Sequence, residues 1–297
     1  MLFDTHTHPY ITFKKSPDNN LEHFFWENKH NACISIGCDI ATSILSIELA
    51  QKYSWLKATI GFHPCDIPYS IWNKEVFTSL QDNTSLSFFS QKKKMRLQIE
   101  QDIRELRNLY FENKEHIVGI WEIWLDYYHL KTLTESSWLS HVTIKEIQEA
   151  YFRAQIELSK ELWLPFVIHS RETNAEVLEI LTHMEAKNYV FHCYSGNWDF
   201  AQKILVQNPQ AMFGFGWPLT FKKSLELQEV ARKLPLERIL TETDAPFLTP
   251  EPLRWKEENE PSYVWYVLKK LQELRDESPE EIEKALYENA TRFFKIV

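Results

Sequence analysis

The feature that most constrains this chain is an alternation of short β-rich runs with longer amphipathic stretches, which continues from one end to the other. Strands that alternate with helical segments are typical of βαβ units and a parallel sheet. Eight such runs therefore favour an α/β protein with a closed (β/α)8 TIM barrel over an open doubly wound sheet. The runs are 2–5, 32–37, 58–62, 117–125, 166–169, 189–193, 212–215 and 238–241.

Helices are predicted between and after these runs, and no low-complexity linker or shift in composition divides the 297 residues. We therefore expect a single domain. Two stretches exceed what a minimal barrel needs and are interpreted as insertions, near 82–112 and 130–143. The predicted helices lie near 21–30, 40–53, 70–82, 96–114, 143–162, 174–187, 198–208, 222–234, 261–274 and 279–294.

The charge balance limits the partners of the chain. With 33 basic and 42 acidic side chains the formal net charge is −9, which argues against broad wrapping of duplex DNA, because such binding needs many contacts from Lys and Arg to phosphates. A phosphate substrate is still compatible if bound metal ions supply positive charge locally. Charges interrupt every apolar run well before about 18 residues, so no membrane span is expected. Nothing indicates an obligate protein partner.

The start of the chain and its cysteines predict a cytoplasmic location. No basic segment followed by an apolar one resembles a signal peptide at the N-terminus. The four cysteines form no CxxC pair and no spacing typical of a zinc site, so we interpret them as reduced thiols of the core or of loops. They are Cys33, Cys38, Cys65 and Cys193.

Two histidines at the first predicted strand introduce the chemistry of the chain. His6 and His8 are two residues apart, with Asp4 beside them, and side chains at i and i+2 lie on the same face of a strand. Both imidazoles can therefore reach one ion. A single histidine is more often structural, but this pair indicates a metal site.

Four further candidates occupy the same relative place in later units, at strands or just after them. Because the carboxyl ends of barrel strands meet at one mouth, these side chains should form one cluster with His6 and His8. Each residue alone has a structural explanation, but their coincidence has no shared one. Imidazole and carboxylate ligands suit Mg, Mn, Zn or Fe, and six ligands suggest two ions. The four are Glu122, His169, His192 and Asp244.

Ordered sequence blocks along nearly the whole chain carry a resemblance to a known family. The blocks are 3–8, 60–64, 122–128, 168–172, 191–196 and 242–254. In them the chain resembles the TatD family of metal-dependent deoxyribonucleases, within the amidohydrolase-like metallohydrolase barrels.

This resemblance implies a role for each candidate. One divalent ion (Mg, Mn or Zn) would be held by His6, His8, Glu122 and Asp244, and a second by Glu122, His169 and His192, with Glu122 as the bridge. Asp244 would orient the attacking water and take its proton, and His63 would face the substrate phosphate. Arg171, Tyr194 and Glu242 would line the site.

The implied activity is hydrolysis of phosphodiester bonds, as a DNase or exonuclease on single-stranded or frayed DNA ends. An alternative enzyme on the same barrel is a metal-dependent deacylase that acts on an aminoacyl-tRNA ester or another small ester or amide. A third alternative is a catalytically silent binding protein. Fold and metal ligands alone do not choose among substrates.

Tryptophan and glycine counts depart from the expected composition. The chain has 6 Gly and 11 Trp, although average usage of about 7% predicts on the order of 21 Gly. Several tryptophans occupy positions where the family pattern has glycine, and Trp163 stands where a helix C′ residue would need φ > 0. The positions are Trp121, Trp124, Trp163, Trp217 and Trp255.

Three interpretations account for these tryptophans. They are tolerated aromatic residues, or marks of a catalytically silent family member, or glycines encoded by UGA codons that have been translated as tryptophan. We favour the third, because exchanging all the tryptophans would bring glycine to about 6%, close to the usual value of about 7%. UGG codons at Trp121, Trp124 and Trp163 would exclude it.

Overall fold

The computed structural model describes residues 2–15, 32–67, 85–137, 139–171 and 173–296. Eight parallel strands follow one another in chain order within a single sheet. The fold is a (β/α)8 TIM barrel, as predicted. The strands are β1 (Phe3–Thr7), β2 (Ala32–Ile36), β3 (Leu56–Ile60), β4 (Ile117–Asp126), β5 (Phe166–Arg171), β6 (Tyr189–Phe191), β7 (Met212–Phe215) and β8 (Ile239–Thr241).

Contacts between the last strand and the first bring the two edges of the sheet together. The Thr5 hydroxyl donates to the carbonyl of Thr241 at 3.0 Å, and the Thr241 hydroxyl donates to the carbonyl of Phe3 at 3.2 Å. Thr7, the last residue of β1, forms a parallel bridge with Ala245, which lies beyond the end of β8. The ends of β1 and β8 therefore meet at the carboxyl side of the sheet.

Helices surround the sheet and present an apolar face to it. Several begin at a polar cap. The Asp39 carboxylate accepts the N–H of Thr42 at 2.7 Å, and the Ser278 hydroxyl accepts the N–H of Glu281 at 3.2 Å, as expected at helix N-termini. The helices are α1 (Pro9–Lys15), α2 (Ile40–Lys52), α3 (Ser85–Asn113), α4 (Leu130–Ser137), α5 (His141–Leu162), α6 (Asn174–His183), α7 (Trp198–Gln207), α8 (Leu225–Lys233), α9 (Val264–Leu274) and α10 (Pro279–Phe293).

The predicted strands all match, with bounds that differ by at most two residues. Two predicted helices, near 21–30 and 70–82, lie outside the described residues. Helices α1 and α4 were not predicted, and α3 begins well before the predicted start at 96. No helix in the described part of the chain is long and apolar enough to cross a bilayer.

The two predicted insertions contain helices of this fold. Most of the stretch near 82–112 belongs to α3, and α4 lies within 130–143. Buried residues of α3, Ile99, Ile103 and Leu106, belong to the same hydrophobic cluster as the barrel strands. That both stretches are insertions within a single domain stays a prediction.

Candidate metal centre

The predicted ligands come from the carboxyl half of the barrel. His6 lies in β1 and His8 follows its last residue, Glu122 lies in β4 and His169 in β5. His192 directly follows β6, and Asp244 lies in the turn after β8. The structure thus brings all six side chains to the same end of the sheet.

Asp4 fixes the segment of β1 that carries the histidines. Its carboxylate accepts the N–H of His6 at 3.1 Å and both the N–H and the hydroxyl of Thr243, at 2.9 and 2.5 Å. Asp4 is buried, and this burial raises the pKa of its carboxyl group. The hydrogen bonds tie β1 to the turn that carries Asp244.

The turn after β8 directs Asp244 toward the two histidines of β1. Asp244 has φ 61, a left-handed conformation that aspartate tolerates better than most residues. Its N–H donates to the carbonyl of His6 at 2.9 Å. Its Oδ1 atom lies 3.3 Å from His6 Nε2 and 3.5 Å from His8 Nε2.

The carboxylate of Glu122 lies at the centre of the cluster. Its Oε1 atom is 3.6 Å from His6 Nε2, 3.5 Å from His192 Nε2 and 3.8 Å from His169 Nδ1. Its Oε2 atom is 3.6 Å from His63 Nε2. One carboxylate oxygen therefore lies within 3.8 Å of nitrogen atoms from three imidazoles.

The distances between donor atoms fit bound cations. The Nε2 atoms of His6 and His8 face each other at 3.1 Å, and two ligand atoms on one tetrahedral ion with bonds near 2.05 Å lie about 3.3 Å apart. Among the six predicted ligands, two sets of three residues each have donor atoms that lie within 4.8 Å of one another, and His192 belongs to both sets. The sets are His6, His192 and Asp244, and Glu122, His169 and His192.

His192 belongs to both of these donor sets, whereas the resemblance put it with the second ion alone. Its ring stacks on that of His6 with centroids 3.6 Å apart, and its Nε2 atom lies 3.5 Å from Glu122 Oε1. His8, by contrast, reaches the cluster through Asp244 and His6. The assignment of individual ligands to individual ions stays a prediction.

Burial and neighbouring charges set the protonation of the cluster. Burial lowers the pKa of His6, which favours the neutral imidazole that binds metal. Burial alone would also lower the pKa of His192, but the carboxylates of Glu242, Glu122 and Asp244 together outweigh it and raise that pKa to about 9. For Asp244 the raising effect of burial is outweighed by hydrogen bonds from His6 and His8, so its pKa lies below the usual range.

Sequence reasoning placed Glu242 and Tyr194 in the lining of the site, and in the structure both contact other protein groups. Glu242 is buried behind His192, and its Oε1 accepts the N–H of Cys193 at 2.5 Å. A Cβ atom at Gly214 would lie 2.5 Å from Glu242 Oε2, so this carboxylate needs glycine in β7. The Tyr194 hydroxyl donates to the carbonyl of Asn197 at 3.0 Å. Their contact with substrate stays a prediction.

His63 is the substrate-facing candidate that lies nearest the cluster. Its Nε2 atom faces Glu122, and its Nδ1 atom lies 3.2 Å from Asp66 Oδ2. Asp66 and Glu122 raise the pKa of His63, although burial acts in the opposite direction. The backbone of Arg171 ends β5, but its side chain lies outside the described part of the structure, so its role stays a prediction.

A hydrogen-bonded contact behind His8 escaped sequence reasoning. The Nδ1 atom of His8 lies 3.1 Å from the hydroxyl of Tyr10, which donates to Cys38 Sγ at 3.7 Å. Tyr10 and Cys38 are both buried. Only the spacing of Tyr10, two residues after His8, could have signalled this contact.

The unusual tryptophans occupy positions that suit the indole poorly. Trp163 and Trp255 have left-handed backbones, with φ 57 and φ 67, and their side chains are 78% and 83% exposed. Trp163 therefore has the backbone conformation predicted for it. The indole N–H groups of Trp121 and Trp217 are buried without a hydrogen-bond partner among the described residues. The side chain of Trp124 lies outside them.

The barrel and its mouth of imidazoles and carboxylates together define a metal-dependent hydrolase. Within that class the chain belongs to the TatD related DNase family, whose model matches residues 3–295. It is 34% identical over 301 residues to the metal-dependent hydrolase YabD of Bacillus subtilis (strain 168), with 100% of both chains covered.

Solved structures show the same fold. YJJV, a TatD homologue from Escherichia coli K12, superimposes with a TM-score of 0.75 and 22% identity, over 100% of this chain and 98% of that one. A hydrolase of the TatD family from Entamoeba histolytica superimposes with a TM-score of 0.72 and 20% identity, over 98% and 97% of the two chains. At these identities the likeness supports the fold alone.

Proposed function

We propose that this hydrolase cleaves phosphodiester bonds, as a DNase that removes nucleotides from single-stranded or frayed DNA ends with two divalent ions. The position of Glu122 carries the proposal. Its Oε1 atom lies within 3.8 Å of donor atoms from His6, His169 and His192. A carboxylate so placed suits a pair of ions that clamp the attacking and leaving oxygens of a displacement at phosphorus.

The donor set suits this chemistry. Neutral imidazoles and carboxylates hold Mg, Mn or Zn, and when bound these ions supply Lewis acidity and lower the pKa of a water molecule. His6, His8, Glu122 and Asp244 would hold one ion, and Glu122, His169 and His192 the other. The local positive charge would let a chain with a net charge of −9 accept an anionic substrate.

The remaining steps belong to the side chains of the chain itself. Asp244 would orient the attacking water and accept its proton. His63 projects next to Glu122 and would donate a hydrogen bond to a phosphoryl oxygen, where negative charge develops. Arg171 would add a second positive group at that oxygen.

The shape of the site favours chain ends. The cluster lies at the mouth of a barrel, which admits a strand terminus more readily than a continuous duplex. The acidic charge balance limits binding along the DNA backbone, so the affinity for long duplexes should be modest. Family membership supports nucleic acid as the substrate class.

A direct comparison of substrates tests the proposal. The purified chain, supplied in turn with Mg²⁺, Mn²⁺ and Zn²⁺, is assayed on end-labelled single-stranded DNA, on blunt duplex and on an aminoacyl-tRNA ester. We expect release of nucleotides from the single strand, its loss in Asp244→Asn and His6→Ala, and its retention in Asp199→Asn, a matched change of an exposed carboxylate. Metal-dependent cleavage of the ester alone would establish the deacylase instead.

A further inference from the structure

A second group of metal-ligand side chains lies at the same end of the barrel but shares no residue with the cluster around Glu122. Cys65 lies in the segment after β3, Asp126 is the last residue of β4 and His129 precedes α4. One ligand atom from each lies within 4.8 Å of the others. The three residues are called the rim cluster below.

Asp126 is the fixed centre of the rim cluster. It is fully buried, its N–H donates to Gln148 Oε1 at 3.0 Å, and its Oδ1 accepts the N–H of His129 at 3.0 Å. Its Oδ2 atom lies 3.3 Å from Cys65 Sγ and contacts His129 Nδ1. A thiol and an imidazole therefore converge on the same carboxylate oxygen.

If the two contacts of Asp126 Oδ2 are hydrogen bonds, the Cys65 thiol and the His129 imidazole must each donate a proton to this oxygen. The charged groups that act on the Cys65 thiol are the carboxylates of Asp126, Asp66 and Glu122, and together with burial they raise its pKa. The surroundings of the Cys65 thiol are therefore strongly negatively charged. A cation bound there would displace the thiol proton to solvent, and the imidazole would coordinate through Nδ1 with its own proton on Nε2.

We propose that Cys65 Sγ, Asp126 Oδ2 and His129 Nδ1 bind a single thiophilic divalent cation, with Zn²⁺ as the best match. A thiolate, an imidazole and a carboxylate are the ligand types of zinc sites. Three protein ligands leave a fourth position, and the side chain of His129 is 40% exposed, so that position opens toward solvent. A water molecule or a substrate oxygen can occupy it.

The rim site is separate from the Glu122 centre. Asp126 follows Glu122 by four residues on β4, a backbone rise of roughly 13 Å along an extended strand. An ion at the rim would add positive charge at the mouth of the barrel. It would attract an anionic substrate without belonging to the Glu122 donor set, so the site does not rest on the proposed function.

Cobalt provides a probe that distinguishes the two sites. Thiolate ligands give Co²⁺ an intense charge-transfer absorption in the near ultraviolet, whereas the imidazoles and carboxylates around Glu122 do not. Titration of the full chain with Co²⁺ should produce this band. Cys65→Ser should abolish it and lower the metal content by one ion per chain, and His129→Ala should weaken binding at least tenfold.

Two other cysteines provide matched controls, because both lie beside the Glu122 centre. Cys193 follows His192, and Cys38 Sγ is 3.9 Å from His8 Nδ1. The band should persist in Cys193→Ser and in Cys38→Ser. Circular dichroism of each variant establishes that it is folded, and His129→Ala changes a half-exposed side chain that can be removed without loss of the core.

Alkylation measures the same site independently of spectroscopy. In the wild-type chain, Zn²⁺ should protect Cys65 from iodoacetamide, as read by peptide mass, and this protection should be lost in His129→Ala. The proposal is overturned if the band survives in Cys65→Ser, if it is absent while Co²⁺ is bound by the wild type, or if Zn²⁺ leaves alkylation of Cys65 unchanged.

Discussion

Glu242 holds the imidazole of His192 from behind, with its Oε1 atom 2.9 Å from His192 Nδ1. The other ring nitrogen, Nε2, faces Glu122 Oε1 at 3.5 Å. A carboxylate on the far nitrogen fixes the tautomer and the orientation of a metal-binding histidine and makes it more basic. Glu242 therefore positions the ring of a predicted metal ligand.

Glu242→Gln should weaken metal binding at the Glu122 centre by about 10–100-fold, the usual effect of losing such a partner. The amide keeps the volume of the side chain and can still accept the N–H of Cys193, so the fold should persist. Calorimetric titration with Mn²⁺ measures the change. Glu251→Gln, at an exposed turn, is the control, and equal affinities in the two variants would contradict the positioning role.

Tyr10→Phe should also weaken metal binding, by about tenfold, because it removes the hydroxyl group next to His8 Nδ1. The phenyl ring keeps the packing of the buried side chain. Cys38→Ala should have a smaller effect, since Cys38 Sγ lies 3.9 Å from His8 Nδ1 whereas the Tyr10 hydroxyl lies 3.1 Å from it. Metal titration of both variants checks the order, and the reverse order would show that the thiol rather than the hydroxyl orients His8.

Metal binding should stabilise the folded chain. Because the donor atoms converge only in the folded state, a ligand at 100 times its Kd adds about 2.7 kcal/mol to the free energy of unfolding. Thermal unfolding with Mn²⁺ and with excess chelator measures this difference. His6→Ala should remove most of this stabilisation. If the wild-type chain, whose cluster is intact, unfolded at the same temperature with metal and with chelator, a preformed metal site would be excluded.

The chain should unfold in one cooperative transition, as expected for a single domain. Helix α3 shares its buried side chains with the barrel core, and Arg107 of α3 pairs with Glu161 of α5 at 2.7 Å. Leu106→Ala should therefore lower the stability of the whole chain, by about 2–5 kcal/mol. Far-ultraviolet dichroism and tryptophan fluorescence should follow the same curve, and two separated transitions would indicate a separate domain.

The sequence predicted the fold and the central cluster because both depend on repetition. Each β-rich run marks a strand, and in a parallel barrel the carboxyl ends of strands meet whatever their separation along the chain. His6 and Asp244 thus come together across more than two hundred residues. The helices that were missed, α1 and α4, have 7 and 8 residues, too few for a helical period to stand out.

Contacts between loops were beyond the reach of sequence reasoning. Cys65 follows β3, Asp126 ends β4 and His129 lies just after β4. The spacing of these three residues matches no known metal motif. The position of Glu242 behind His192 likewise depends on space left by Gly214 in a neighbouring strand. Periodicity determines which face of an element is buried, but such contacts depend on how two loops pack.

Trp163→Gly should stabilise the protein, although it removes a large aromatic side chain. Trp163 ends α5 with φ 57 and ψ 31, and a left-handed backbone costs an L-residue other than glycine about 1–2 kcal/mol. Its indole is 78% exposed, so little packing is lost. We expect a gain of about 1 kcal/mol in the free energy of unfolding, measured by urea denaturation.

A second tryptophan gives the matched control with the opposite sign. Trp265 is the second residue of α9 and is 44% exposed, where glycine should also destabilise the helix, by up to about 1 kcal/mol. Peptide masses from the native source test the cause directly. Glycine at position 163 together with tryptophan at position 265 would show that the cell inserts glycine at this helix end, where the translated sequence reads tryptophan. If both glycine variants lose the same free energy of unfolding, and the peptide mass shows tryptophan at position 163, Trp163 is a genuine, tolerated residue.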